Sequence, residues 1–223
     1  MRQLASQGFV PSAIMDIGAN HGGWSDTVRG VFPGARFLLI EPQAEMAPFL
    51  AQFCGRTAGS EYVQAGAGAQ SGAETLTIWD DLQGSAILSD EVHALTPYGE
   101  RRTIPIVTIN ELVDSGRFPV PDLIKIDVQG FEMAVLQGAT AVLGHTEAFI
   151  IETSLYDPLG GRPTFYQVVE FMEAAGYAIF DFAELRHRAS DHALAQLDVC
   201  FVRKNGVLRT ASVVDRRAAA SRV

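Results

Sequence analysis

Two cysteines, Cys54 and Cys200, are the only thiols in this 223-residue chain, and they lie far apart. That excludes a disulfide framework and a zinc knuckle, and the expected state is two buried free thiols in a reducing cytoplasm. Basic residues are also scarce: 17 Lys and Arg stand against 26 Asp and Glu, for a formal net charge of −9. A nucleic-acid surface wants a basic stripe. The only basic doublets, Arg101-Arg102, Arg203-Lys204 and Arg216-Arg217, read as solvated, so no nucleic-acid partner is expected. No apolar run approaches the ~18 residues of a membrane span. The start, Met1-Arg2-Gln3-Leu4-Ala5-Ser6, lacks the apolar core of a signal peptide. Internal repeats are absent too.

What is present suffices for one good-sized core. Apolar residues make up 48% of the chain, and its length favours one domain over two. The domain is expected over residues 1–205, with 206–223 as a flexible tail. Strand-like and helical patterns alternate. Strands are expected at Ala13–Ile17, Arg36–Ile40, Tyr62–Ala65, Glu74–Trp79, Pro105–Ile109, Leu123–Val128 and Ala148–Glu152. Helices are expected at Trp24–Val31, Ala44–Cys54, Phe131–Leu143 and Phe165–Ala175, with a helical turn opening at Asn110. Phe131, Val135, Leu136, Ala139, Val142 and Leu143 recur at helical spacing. The segment Asp80–Tyr98 reads as a loop or short helix over the site. Tyr177–Phe182 and Gln196–Arg203 should pair as a hairpin across a polar loop. Alternating βα units imply a mostly parallel α/β sheet with helices on both faces, and the hairpin adds an antiparallel strand.

The first strand runs into Asp16-Ile-Gly-Ala-Asn-His-Gly-Gly23, a glycine turn that opens a helix. Glycines there let the backbone approach a ligand. The second strand ends in Glu41-Pro42, which puts a carboxylate about 20 residues on, where it would accept from ribose hydroxyls. What is missing is GxGxxG. A pyrophosphate needs an uncluttered helix N-terminus, whereas Asp16 stands two places before Gly18. An acidic strand end suits a ligand with a cationic amino-acid part, and S-adenosylmethionine is such a ligand.

Asp16-Ile-Gly-Ala-Asn-His-Gly22, Ile40-Glu-Pro42 and above all Asp122-Leu-Ile-Lys-Ile-Asp-Val-Gln-Gly-Phe-Glu-Met-Ala-Val-Leu-Gln-Gly-Ala139 resemble the FkbM-type methyltransferases. The resemblance runs from about Gly8 to Arg203. It implies a Rossmann-like class I methyltransferase fold with seven strands, S-adenosylmethionine as methyl donor, and transfer to an oxygen of a sugar, glycan or natural-product small molecule. The family commonly has glutamate where this chain has Gln129.

In an open α/β sheet, ligands bind beyond the carboxyl ends of the strands at the switch point. Asp16 and Gly18 would then face the methionine part, with Ala19, Asn20 and Gly22 lining it. Glu41 would accept from the ribose, Pro42 would fix the chain's exit, and Gly66 and Ala67 would pass the adenine edge. A hydroxyl acceptor also needs a proton acceptor or a cation. The candidates are Asp127, Lys125, Glu152, His21 and Glu132. Lys125 and Asp127 share a face of one strand. Glu132 falls in the first turn of its helix, where a carboxylate suits the dipole. Asp127 and Glu152, at neighbouring strand ends, could hold a divalent cation; the amide at Gln129 and the want of a third carboxylate favour two hydrogen-bonded carboxylates instead. Tyr156, Asp157 and Arg162, in the Gly- and Pro-rich loop that runs to Pro163, are placed for acceptor specificity. His93, His145, His187 and His192 read as solvated. Two other classes stay open: an NAD-type oxidoreductase on a similar sheet, and a non-catalytic cofactor- or partner-binding protein.

Overall fold

The computed structural model describes residues 1–80, 82, 84–88, 90–95, 98–157 and 162–209. The strands are β1 (Ala13–Ile17), β2 (Arg36–Ile40), β3 (Glu61–Val63), β4 (Gly66–Ala67), β5 (Gly72–Ile78), β6 (Ala86–Ile87), β7 (Glu100–Val107), β8 (Leu123–Ile126), β9 (Ala148–Ser154), β10 (Tyr177–His187) and β11 (Leu194–Arg203). The helices are α1 (Arg2–Ser6), α2 (Gly23–Val31), α3 (Ala47–Gly55, after a 3₁₀ turn at Ala44–Met46), α4 (Asp90–Leu95), α5 (Ile109–Asp114), α6 (Glu132–Gln137) and α7 (Phe165–Ala174).

A seven-stranded sheet runs β10-β11-β9-β8-β1-β2-β3. All its pairings are parallel except those of β11 with β9 and β10. Alternation along each strand sends side chains to two cores. Met15, Ile17, Leu38, Ile40, Ile124, Ile126, Phe149 and Ile151 pack with α5, α6 and α7. Ile14, Phe37, Leu39, Leu123 and Ile150 pack with α1, α2 and α3. The sheet order reverses between β1 and β8, so the crevice opens at their carboxyl ends.

A second sheet, order β4-β7-β5-β6, was not foreshadowed as a separate unit. The expected strand Tyr62–Ala65 ends early, because Gly66 and Ala67 leave it to pair with Ile106 and Val107. The expected strand Pro105–Ile109 instead covers Glu100–Val107. Thr108 caps α5 in a capping box with Glu111, which draws Ile109 into the helix. The first half of β7, Glu100-Arg-Arg-Thr103, is polar on both faces and so lacks an apolar signature.

The expected helix Phe131–Leu143 stops at Gln137 and continues as turns. Gly138 lies against the Gly68 carbonyl, where any Cβ would overlap it. Asn110 then takes up the freed groups: its N–H donates to the Gly138 carbonyl at 2.9 Å, and its Oδ1 accepts from the Ala141 amide at 2.8 Å. The closing hairpin is longer than expected and reaches His187 and Leu194. The chain beyond 206 is not wholly unpacked: Leu208 is fully buried and its amide donates to Glu147 Oε1 at 3.0 Å. The rest of the expected tail, 210–223, lies outside the described residues.

Candidate active site

A cleft of about 320 Å³ opens where β1, β2 and β8 end. Of the residues singled out by sequence, Gly18, Asn20, His21, Glu41, Pro42, Gly66, Ala67 and Asp127 line it together. Asp16, Ala19, Gly22, Lys125 and Glu152 do not line it; they sit behind its wall. Gln129, weighed from the sequence only as an amide in place of a carboxylate, lines the cleft as well; sequence reasoning missed Gln43, Ser85, Phe131 and Arg186, along with an apolar wall of Leu76, Ile87 and Ile104 given by the second sheet. Strand alternation in β5 and β7 was the one available signal for that wall.

The loop after β1 is fixed by its backbone. Gly18 has φ +77°, and a Cβ there would overlap the Asp127 carbonyl oxygen. Its glycine therefore serves the packing of β1 on β8 as well as ligand clearance. The Gly18 and Ala19 amides donate to the Ile40 carbonyl at 2.9 and 3.1 Å, which ties the loop to β2. Asn20 is left-handed at φ 47°. Its amide donates to Glu41 Oε2 at 2.8 Å, and its Nδ2 donates to the Leu82 carbonyl at 3.0 Å. Asn20 Oδ1 stands 2.7 Å from His21 Nδ1. That oxygen only accepts, so Nδ1 carries a proton and Nε2 keeps the lone pair of the neutral ring.

Glu41 is buried. Its carboxylate accepts from the Asn20 amide, the Gln43 amide at 3.0 Å and Gln43 Nε2 at 3.2 Å. Burial raises its pKa against those bonds. Gln43 also grips the roof: its Nε2 donates to the Leu82 carbonyl at 2.9 Å, and its Oε1 accepts from Ser85 Oγ at 3.1 Å. The expectation that the 80–98 segment covers the site holds for Gly84, Ser85 and Ile87; residues 81, 83, 89, 96 and 97 lie outside the described residues.

Behind the loop runs a row of buried charge on the α2 side of the sheet. Asp16 is fully buried, with Oδ2 accepting from Ser25 Oγ at 2.6 Å and Oδ1 unpartnered among the described residues. Burial raises its pKa, with Lys125 opposing. Lys125 stands beside Asp16 in register, and its Nζ donates to Asp127 Oδ2 at 2.7 Å. Burial would lower the Lys125 pKa, but the Asp16 and Asp127 carboxylates outweigh it and raise it.

Gln129, at φ 53°, points its Nε2 between two carboxylates, 2.9 Å from Asp127 Oδ1 and 2.8 Å from Glu152 Oε2. A glutamate in that place would need a proton to make either bond. Burial, then Asp127, Glu132 and Asp198, push Glu152 up to about 8. Burial pushes Asp198, directly opposite Glu152 on β11, up to about 6. Glu132 is structural in the way its helix position suggests: Oε1 accepts from the Val128 and Gly130 amides at 3.3 and 2.9 Å. No group of three His, Cys, Asp or Glu side chains is placed for a metal ion among the described residues. Tyr156, Asp157 and Arg162 stand outside the lining, and residues 158–161 of their loop lie outside the described residues. His93, in α4, and His145, His187 and His192 do not line the cleft either.

An open sheet of this strand order, with a glycine turn after β1 and a carboxylate ending β2, defines the class I methyltransferase fold. Solved structures agree. A precorrin-6y C5,15-methyltransferase from Geobacter metallireducens superposes with a TM-score of 0.50 at 13% identity, over 91% of this chain and 86% of that one. The N-methyltransferase NodS from Bradyrhizobium japonicum, in complex with S-adenosyl-L-homocysteine, gives 0.50 at 11% identity, over 91% and 84%. A model of the methyltransferase FkbM domain matches residues 16–179, and the chain belongs to that family. Among curated proteins, hexuronic acid methyltransferase AglP from Haloferax volcanii is 37% identical over 68 residues, 30% of this chain and only 28% of the relative. The family sets the chain among methyltransferases, apart from the oxidoreductase alternative. No helix among the described residues is long and apolar enough to cross a membrane.

Proposed function

We propose that the protein is an S-adenosylmethionine-dependent O-methyltransferase acting on a hydroxyl of a sugar, glycan or other small molecule. The observation that carries this reading is one cleft lined together by Gly18, His21, Glu41 and Asp127. The residues fit the donor. Three N–H groups occupy three of the roughly four acceptor sites of the Glu41 carboxylate, which leaves one for a ribose hydroxyl. The apolar wall of Ala67, Leu76 and Ile104, with Gln43 and Ser85 beside it, suits an adenine ring. Gly18, Asn20, Pro42 and Gly66 complete the lining, while Asp16, Ala19 and Gly22 shape the loop from beneath.

Bound there, S-adenosylmethionine supplies an electrophilic methyl group, and the enzyme's main task is to orient the acceptor for in-line attack. Asp127 orients the hydroxyl. Its oxygens are held by Lys125 and Gln129, and each retains further acceptor capacity. His21 accepts the hydroxyl proton at Nε2, its ring held by Asn20. Glu152, pushed up to about 8 mainly by burial, acts through Gln129. None of these roles requires a metal ion. The sugar acceptor is supported by the FkbM family and the AglP similarity; the free thiols Cys54 and Cys200 support a cytoplasmic location.

The test is a thermal-shift titration with S-adenosylmethionine, S-adenosylhomocysteine and NAD, followed by turnover on a panel of sugars. The first two ligands should raise Tm while NAD leaves it unchanged, and a hydroxylated acceptor should be methylated. Stabilisation by NAD alone would overturn the proposal, and binding without any turnover would favour the non-catalytic reading.

A further inference from the structure

Arg186 is the only Lys or Arg side chain that lines the cleft among the described residues. It projects from the far end of β10, where the hairpin overhangs the β8 and β9 ends, and its side chain is 60% exposed. Its nearest carboxylate is Glu152, whose Oε1 lies 3.9 Å from the guanidinium, at the outer limit of an ion pair. No hydrogen bond to that guanidinium forms among the described residues. At that distance the pair is loose, and burial pushes Glu152 up to about 8, toward its neutral form, so Arg186 has little compensation there. Asp198, which burial pushes up to about 6, also interacts with Arg186 from β11 without a hydrogen bond to it among the described residues.

A second arginine meets the same turn. The stem of Arg162 lies over Gly130, with Cγ 2.8 Å and Nε 3.3 Å from where a Cβ would stand. Its amide donates to Asp157 Oδ2 at 2.9 Å, while its guanidinium makes no hydrogen bond among the described residues. Two uncommitted guanidinium groups therefore approach the Gln129–Gly130 turn, one beside Glu152 and one over Gly130. The cleft floor is otherwise acidic, with Glu41 and Asp127, on a chain of net charge −9. An anionic acceptor would need a local cation to enter. Guanidinium forks match carboxylate and phosphate oxygens in a way that a lone ammonium does not.

We propose that the acceptor is an acidic sugar whose anionic group, a carboxylate or a phosphate, is held by Arg186 and Arg162 at the Gln129–Gly130 turn. This rests on the acceptor site proposed above and specifies what that site selects. Aimed at the anion, the two arginines set which hydroxyl lies over Asp127, so they fix position on the ring as well as charge.

The probes are D-glucuronate, D-glucose 6-phosphate and D-glucose, titrated by ligand-observed NMR into protein with and without saturating S-adenosylhomocysteine. At least one anionic sugar should bind roughly ten- to a hundredfold more tightly than glucose, the span of a charged hydrogen bond. The two anionic arms distinguish a carboxylate from a phosphate. Arg186→Ala should bring that sugar down to the glucose level, Arg186→Lys should restore only part of the preference, and Arg162→Ala should weaken it. S-adenosylhomocysteine affinity in Arg186→Ala should stay at the wild-type value. The proposal is overturned if neither anionic sugar outbinds glucose, or if Arg186→Ala binds them as the wild type does. Failure of the donor reading would show separately, as no affinity for S-adenosylhomocysteine.

Discussion

Lys125 Nζ lies 2.7 Å from Asp127 Oδ2 in a one-sided pair: the lysine side chain is 7% exposed and the aspartate 24%. The cation is locked behind the wall while the carboxylate edge faces the cleft. Such a pair, with Gln129 on the other oxygen, fixes the direction of the Asp127 carboxylate, which is what orienting an acceptor requires. Asp127→Asn should therefore lower kcat far more than it lowers S-adenosylhomocysteine affinity, because the lost interaction acts mainly in the transition state. Steady-state kinetics beside calorimetry checks this, and full activity would leave Asp127 a structural carboxylate. The same assay after exhaustive chelation should show turnover retained.

Lys125→Met removes the buried cation and leaves Asp16 and Asp127 facing one another without it. Breaking one side of a buried pair costs about 3 kcal/mol or more. Urea unfolding should show a loss of that order. A midpoint equal to the wild type would mean that the carboxylates take up protons with no net cost.

Glu41→Ala should weaken S-adenosylmethionine binding by roughly 1–3 kcal/mol, the order of a charged hydrogen bond. The Asn20 amide loses its acceptor as well, so part of the effect is loosening of the loop. Calorimetry showing unchanged affinity would remove Glu41 from the donor site.

Stability should fall as pH rises from about 5 to 8. Glu152 is pushed up to about 8 and Asp198 to about 6, both mainly by burial. The unfolded chain ionises both near the ordinary carboxyl pKa of about 4. Between those values the folded state binds more protons than the unfolded one, so the slope is negative, at most about 1.4 kcal/mol per pH unit for each proton. Glu152→Gln should flatten the profile, most of all between pH 6 and 8, above the value for Asp198. Chemical denaturation across that range checks it; parallel profiles for the two proteins would contradict it.

Much of this arrangement is legible in the chain. Asp16, Gly18, Glu41 and Asp127 follow from strand ends that the apolar runs mark directly, and β1 and β2 fall where their patterns put them. What was hidden depends on contacts between distant segments. The α6 helix stops because Gly138 meets Gly68 and Asn110 takes its carbonyl, and no local pattern records that. The second sheet was hidden because β4 is two residues long and the first half of β7 is polar. Lys125 contacts Asp127 and Glu152 meets it through Gln129, but which side of the wall they occupy follows from sheet register. Arg186 was missed because the hairpin was read as ending before it.

Transfer of a ¹³C-labelled methyl group from S-adenosylmethionine, followed by carbon NMR on the sugar product, tests the central claim most directly. The label should appear as a methoxy carbon on the acceptor, in equal amount to the S-adenosylhomocysteine released. A label on nitrogen or carbon, or release of S-adenosylhomocysteine with no labelled acceptor, would contradict it.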